Sequence, residues 1–122
     1  MKITAYVPVA VWGAILLFIG GRSSVPSVPT SLPLDKVAHF LLYGVLGALA
    51  AWAWLRSGRS RTLASVLIFA ALLTGAADEL NQRRVEGRSS EIADWLADAA
   101  GVSAGFWTMA AVCARRQGAS TR

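Results

Sequence analysis

The sequence is short of the side chains that most often do chemistry. Its 122 residues hold one histidine, one cysteine and two tyrosines. A lone cysteine, Cys113, excludes an intramolecular disulfide and any thiolate-rich metal site. A lone histidine, His39, excludes a His-x-x-x-His zinc pair, and neither a glycine-rich phosphate loop nor a G-x-S-x-G elbow is present. There is no internal repeat. Charge is scarce at 16 %, and four stretches, about 5–20, 37–55, 62–80 and 92–114, contain no lysine or arginine at all.

What fills those stretches is hydrocarbon. The chain is 55 % hydrophobic, its mean hydropathy is +0.50, and a membrane span needs about 20 mostly apolar residues. LASVLIFAALLTGAA and ADAAGVSAGFWTMAAVCA are apolar on every side, without the polar face, recurring every ~3.6 residues, of a soluble bundle helix. The first and third stretches are short, and the third must extend through 78–80, or sit where the bilayer thins, to reach across. MKITAYVPVAVWGAILLFIGG has a basic start and an apolar core, but no clean A-x-A site follows, so it is expected to stay as a span and not to leave as a signal peptide. The expected fold is all-α: a polytopic membrane protein of four transmembrane helices in a small bundle, one domain over 1–122. GRSSVPSVPTSLP between the first two spans reads as an extended, solvated connection.

Charge sign sets the expected orientation. With four spans, one side carries Lys2, Arg56, Arg59, Arg61, Arg115, Arg116 and Arg122 and no acid. The other carries Arg22, Lys36, Arg83, Arg84 and Arg88 together with Asp35, Asp78, Glu79, Glu86, Glu91, Asp94 and Asp98. Basic short loops stay in the cytoplasm, so both termini are expected inside and every carboxylate outside. Arginines dispersed at span ends are topology signals and contacts for anionic lipid, which argues against nucleic acid as a partner. Trp52, Trp54 and Trp95 suit interfacial anchoring, with Trp107 deeper.

The acids are not scattered. Asp35, His39 and Tyr43 follow at four-residue spacing, which stacks them on one helix face with Lys36 beside them. GAADELNQRR brings Asp78, Glu79 and Gln82 to one face of the third span, and SSEIADWLADAAG places Asp94 and Asp98 four apart on the fourth. Ser90, Glu91 and Asp94 also fit a helix start with acids in its first turn, a structural reason for two of these charges. Asp98 lies too far in for that. An ionisable group at such depth costs about 2.5 kcal/mol or more unless it faces a partner or a watery cavity, so the three stripes are expected to face one another. Ala97, Gly101 and Gly105 form a small-residue ladder that allows close helix packing, and permits a homo-oligomer without requiring one.

DKVAHFLLYGVLGAL resembles the D-K-x-x-H-x-x-x-Y opening of the second helix in VanZ-like bacterial membrane proteins. DELNQRRVEGRSSEIADWLADAAG is similar to their D-E-x-x-Q…G-R…D…N-x-x-G segment. The likeness covers about 34–105 and the four-span layout. Family motif positions fall on Asp35, Lys36, His39, Tyr43, Asp78, Glu79, Gln82, Gly87, Arg88, Asp94 and Gly101. Asp98 departs from the asparagine common there and Glu86 from a frequent proline. The resemblance implies a multi-pass place in the bacterial inner membrane and the cell envelope. The family takes its name from a protein associated with low-level resistance to the glycopeptide teicoplanin; the resemblance specifies no reaction.

Three functions fit these residues. The first is a non-enzymatic envelope protein whose outward polar pocket binds membrane lipid, a cell-wall precursor or an envelope protein, with Lys36 and Arg88 on phosphate or carboxylate and His39 and Tyr43 orienting groups below. The second is an intramembrane enzyme on a lipid-linked substrate, with His39, Glu79 and Asp94 as candidate catalytic groups. There, one histidine among Asp35, Asp78, Glu79, Asp94 and Asp98 could hold a divalent cation, or carboxylates sharing protons could supply an acid and a base. The third is a small carrier, which needs a polar path to the other side; the inner halves offer only Thr62, Ser65, Thr74, Ser103 and Thr108. The first reading leads, with no cofactor and no metal expected.

Overall fold

A computed structural model describes residues 3–21, 34–84 and 92–120. A single 3-10 turn, Ile3–Ala5, leads into helix α1, Val7–Gly20; α2 is Leu34–Arg56, α3 is Arg61–Gln82 and α4 is Ile92–Ser120. Among the described residues there is no strand. Four segments, Ile3–Gly20, Leu34–Arg56, Arg61–Gln82 and Ile92–Ser120, are long and apolar enough to cross a membrane. The third span continues past 78–80 to Gln82, which removes its shortfall. The fourth, at 29 residues, is about 43 Å long and outlasts a ~30 Å hydrocarbon layer, so its arginine-bearing last turns project beyond it.

Local signals set the ends. Pro8 sits in the first turn of α1, where its missing N–H costs nothing. Between α2 and α3 the chain reverses in four residues. Gly58, at φ +90°, takes a conformation that other residues resist, and the Ser57 and Arg59 amides close back on the Trp54 carbonyl at 3.1 and 3.3 Å. Ser60 then caps α3, its hydroxyl accepting from the Leu63 N–H at 3.1 Å. The Ser90–Glu91 helix start and the GRSSVPSVPTSLP connection lie outside the described residues, apart from Gly21.

α2 and α3 run antiparallel and form the centre; α1 packs against one side of that pair and α4 against the other, and among the described residues α1 and α4 do not meet. The tightest seam is between α2 and α4, which run parallel. A Cβ added to Gly47 would strike the Val102 carbonyl, one on Gly101 the Phe40 carbonyl, and one on Gly105 the Gly44 carbonyl. Only glycine allows backbones this close. The Gly101–Gly105 ladder is thus occupied within the chain, by α2, and offers no free face of its own to a second copy.

The core is small and mixed. Tyr43, Leu46, Val102, Leu16 and Ala71 form one buried cluster, and Ala50, Ala51, Leu67 and Phe106 a second. The large apolar side chains point the other way: Val11, Phe18, Leu41, Phe69, Leu73, Leu96 and Trp107 are all more than half exposed. In water such a surface would aggregate; around a bundle in lipid it is the expected coat.

Candidate functional site

At the end of the bundle where α2 and α4 begin and α3 finishes, six polar side chains turn inward. His39, Asp78, Glu79, Gln82, Asp94 and Asp98 are all at most 9 % exposed. The parallel α2–α4 seam pairs their faces rung by rung. Lys36 Nζ donates to Asp94 Oδ1 at 3.1 Å, and one turn deeper His39 Nδ1 meets Asp98 Oδ1 at 2.7 Å. Lys36 and His39 of α2 are therefore each matched to a carboxylate of α4, because both helices repeat at nearly four residues and the glycine seam holds them in register.

α3 enters from the third side. Tyr43, whose ring lies parallel to that of His39 at 6.4 Å between centroids, donates its hydroxyl to Asp78 Oδ2 at 3.2 Å. Gln82 Nε2 donates to the same oxygen at 3.3 Å. α1 closes this layer: a Cβ on Gly20 would collide with the Asp78 carboxylate, and Asn81 Nδ2 reaches the Leu17 carbonyl at 3.2 Å. The outermost member, Asp35, has a side chain 66 % exposed and stands 4.0 Å from His39 Nε2. Lys36 stays partly open at 38 %. The exposed rim is thus Asp35 and Lys36, and the floor is buried.

Residues 2–113 match a family model described as VanZ/LLP1. The chain belongs to the VanZ family. It is a VanZ-family membrane protein with four apolar helices. Comparison with curated proteins and with solved structures gives no match.

Of the residues singled out in the sequence, the motif positions Asp35, Lys36, His39, Tyr43, Asp78, Gln82 and Asp94 come together in this layer with Asp98, which departs from the motif. Glu79 is buried on α3 beside them at 7 % exposure. Arg88 and Gly87 lie outside the described residues. Gly101 lies one turn below Asp98 in the seam. Sequence reasoning missed the α1–α3 contacts, Gly20 of α1 against Asp78 and Asn81 of α3 on the Leu17 carbonyl, because neither residue belongs to a motif; the only signal was the small pair Gly20–Gly21 at the end of the first apolar run. Trp95, at the start of α4, donates its indole N–H to the Leu72 carbonyl of α3 at 3.3 Å.

Chemically, the layer offers one imidazole with differently placed nitrogens, one partly exposed ammonium and buried carboxylates on two helices. A nitrogen of His39 and single oxygens of Asp35 and Asp94 all lie within 4.8 Å of one another, as do those of His39, Asp78 and Asp98. Deeper in, two of the few remaining hydroxyls are bonded to their own helices: Thr74 to the Ala70 carbonyl and Ser103 to the Ala99 carbonyl, each at 2.9 Å.

Proposed function

We propose that this VanZ-family chain is a non-enzymatic protein of the bacterial inner membrane and cell envelope. Its polar end faces outward and binds the phosphate-bearing head group of a membrane lipid or lipid-linked cell-wall precursor, which alters the response to glycopeptides of the teicoplanin type. The reading rests on one observation: Lys36, 38 % exposed at the rim, is held by the buried Asp94 at 3.1 Å, so a cation is fixed at interface depth with part of its surface left for a ligand. Orientation follows the same logic. Arg56, Arg59, Arg61, Arg115 and Arg116 gather at the opposite end without an acid, which favours that end, and both termini, in the cytoplasm.

The test is native mass spectrometry of the chain released from its own membrane, followed by lipid retention in nanodiscs with and without anionic phospholipid. A retained phosphate-bearing lipid, reduced several-fold by Lys36→Gln at unchanged folding, is the expected result. Retention indifferent to that substitution and to lipid charge removes the reading. A retained phospholipid and a retained cell-wall precursor are told apart by mass.

An enzyme is the second reading, favoured by the 2.7 Å His39–Asp98 contact, which orients the ring and leaves Nε2 as a potential general base toward the rim. Glu79 and Asp94 remain the other candidate groups. Normal phenotype and membrane level in His39→Gln would dismiss it, since glutamine keeps hydrogen bonding but cannot titrate. The carrier reading has least support: Thr74 and Ser103, which a polar path would need, are engaged by their own backbone.

A further inference from the structure

A phosphate that approaches Lys36 also approaches Asp35 and Asp94, and like charges repel strongly where the dielectric is low. Something positive besides Lys36 is needed at the rim, and His39 is built to hold it. The residue is 9 % exposed, and its two nitrogens have different surroundings. Nδ1 is bonded at 2.7 Å to Asp98, itself 1 % exposed. The Asp98 acceptor holds a proton on Nδ1 and turns Nε2 toward Asp35, where a metal ion can take the place of any proton that nitrogen carries. Nε2 makes no hydrogen bond among the described residues, and Asp35 Oδ1 stands 4.0 Å from it. A ring nitrogen without a hydrogen bond, its ring held by an outer carboxylate and faced by Asp35 with Asp94 close by, is the arrangement of a metal ligand.

We propose that Asp35, His39 through Nε2, and Asp94 bind a divalent cation of the zinc type, and that this ion carries the anionic head group past the carboxylates. The inference deepens the head-group reading and rests on it for the ion's purpose, though not for the ion's binding. The donor set is one imidazole and two carboxylates, which suits zinc-like ions better than calcium or magnesium, whose ligands are oxygens. Ligands at ~2.1 Å in a tetrahedron stand roughly 3.4 Å apart. One ring nitrogen of His39 and single oxygens of Asp35 and Asp94 now lie within 4.8 Å of one another, so closure is a small movement. Asp35, with its side chain 66 % exposed, is the group free to make it, while Asp98 holds His39 and Lys36 holds Asp94. Three protein ligands leave a fourth position open at the rim for water or a phosphate oxygen. Asp98 is then a positioning residue, the outer carboxylate that metal-bound imidazoles usually carry.

The probe is Zn2+ itself, titrated calorimetrically into the full chain in detergent micelles, with Co2+ absorption as a readout of nitrogen and oxygen coordination. One ion per chain is expected. Binding should be lost in His39→Gln and Asp35→Asn, the latter an exposed position whose change spares the core. Asp98→Asn should keep the stoichiometry and weaken affinity by ~10–100-fold. Absence of saturable Zn2+ binding, or binding that survives Asp35→Asn but not Asp78→Asn, overturns the inference. Lys36-dependent lipid retention that EDTA leaves unchanged also overturns it, while the head-group reading stands. Asp35-dependent Zn2+ binding without any preference for anionic lipid supports the ion site and removes the head-group reading.

Discussion

Asp98 is the member of the cluster whose removal should be felt most. It is 1 % exposed, lies two turns into α4, and bonds His39 Nδ1 at 2.7 Å. Breaking a buried ion pair from one side leaves the other partner uncompensated, at a cost of about 3–5 kcal/mol. Asp98→Ala should therefore destabilise by roughly that amount, and His39→Ala by a similar one, because it strands a carboxylate in the bundle. The double substitution leaves a cavity but no orphan, so it should cost less than the sum, with a coupling of about 2 kcal/mol. Asp98→Asn retains an acceptor for the Nδ1 proton but not the charge, and should cost less than alanine, about 2 kcal/mol. Denaturation of the detergent-solubilised protein, followed by the fluorescence of its five tryptophans, measures all four variants. Additive losses within about 0.5 kcal/mol, or an asparagine as damaging as alanine, would refute the pairing as a determinant of stability.

Other consequences are simpler to read. Ser60→Ala removes the α3 cap and should cost about 1 kcal/mol in the same denaturation assay, with no change in ligand retention. In a Cys113→Ser background, Arg59→Cys should react with an impermeant thiol reagent only after the membrane is opened, and Arg84→Cys in intact spheroplasts; the reverse pattern would invert the proposed orientation. Gly101→Ala should lower stability and also weaken any ligand binding at the rim, although its own position lies below the polar layer.

The hydrophobic runs were readable because lipid exposure makes helices apolar all round, and the four observed helices fall on them. Pairing of the polar stripes was foreseeable only in outline. Four-residue spacing shows that Asp35, His39 and Tyr43 share a face, but not that Lys36 meets Asp94 and His39 meets Asp98. Four alternating spans make α2 and α4 parallel, but those partners also depend on the register between them, which backbone contacts at Gly47, Gly101 and Gly105 fix. The contribution of α1 was illegible for a different reason: Gly20 acts by having no side chain, so it leaves no chemical signature beside Asp78. Arg88 and Gly87, read from the motif, lie outside the described residues.

The seam and the polar layer form one device. Aspartate is short, and Asp98 can reach His39 only because the helix backbones nearly touch one turn below. A methyl group on Gly101 would strike the Phe40 carbonyl and stand 3.1 Å from the Gly44 nitrogen, so α2 and α4 must part by about 1 Å to regain ordinary contact. Adding about 1 Å to a 2.7 Å bond carries it beyond the ~3.2 Å reach of a good N–H···O interaction. Lys36 has a long, flexible stem and can follow Asp94, whereas the His39 ring, packed parallel to Tyr43, cannot follow Asp98 in the same way. Gly101→Ala should therefore uncouple His39 from Asp98 while sparing Lys36–Asp94. In the double-mutant cycle the His39–Asp98 coupling should fall toward zero in that background; a coupling that persists would show that the two helices close without the glycine.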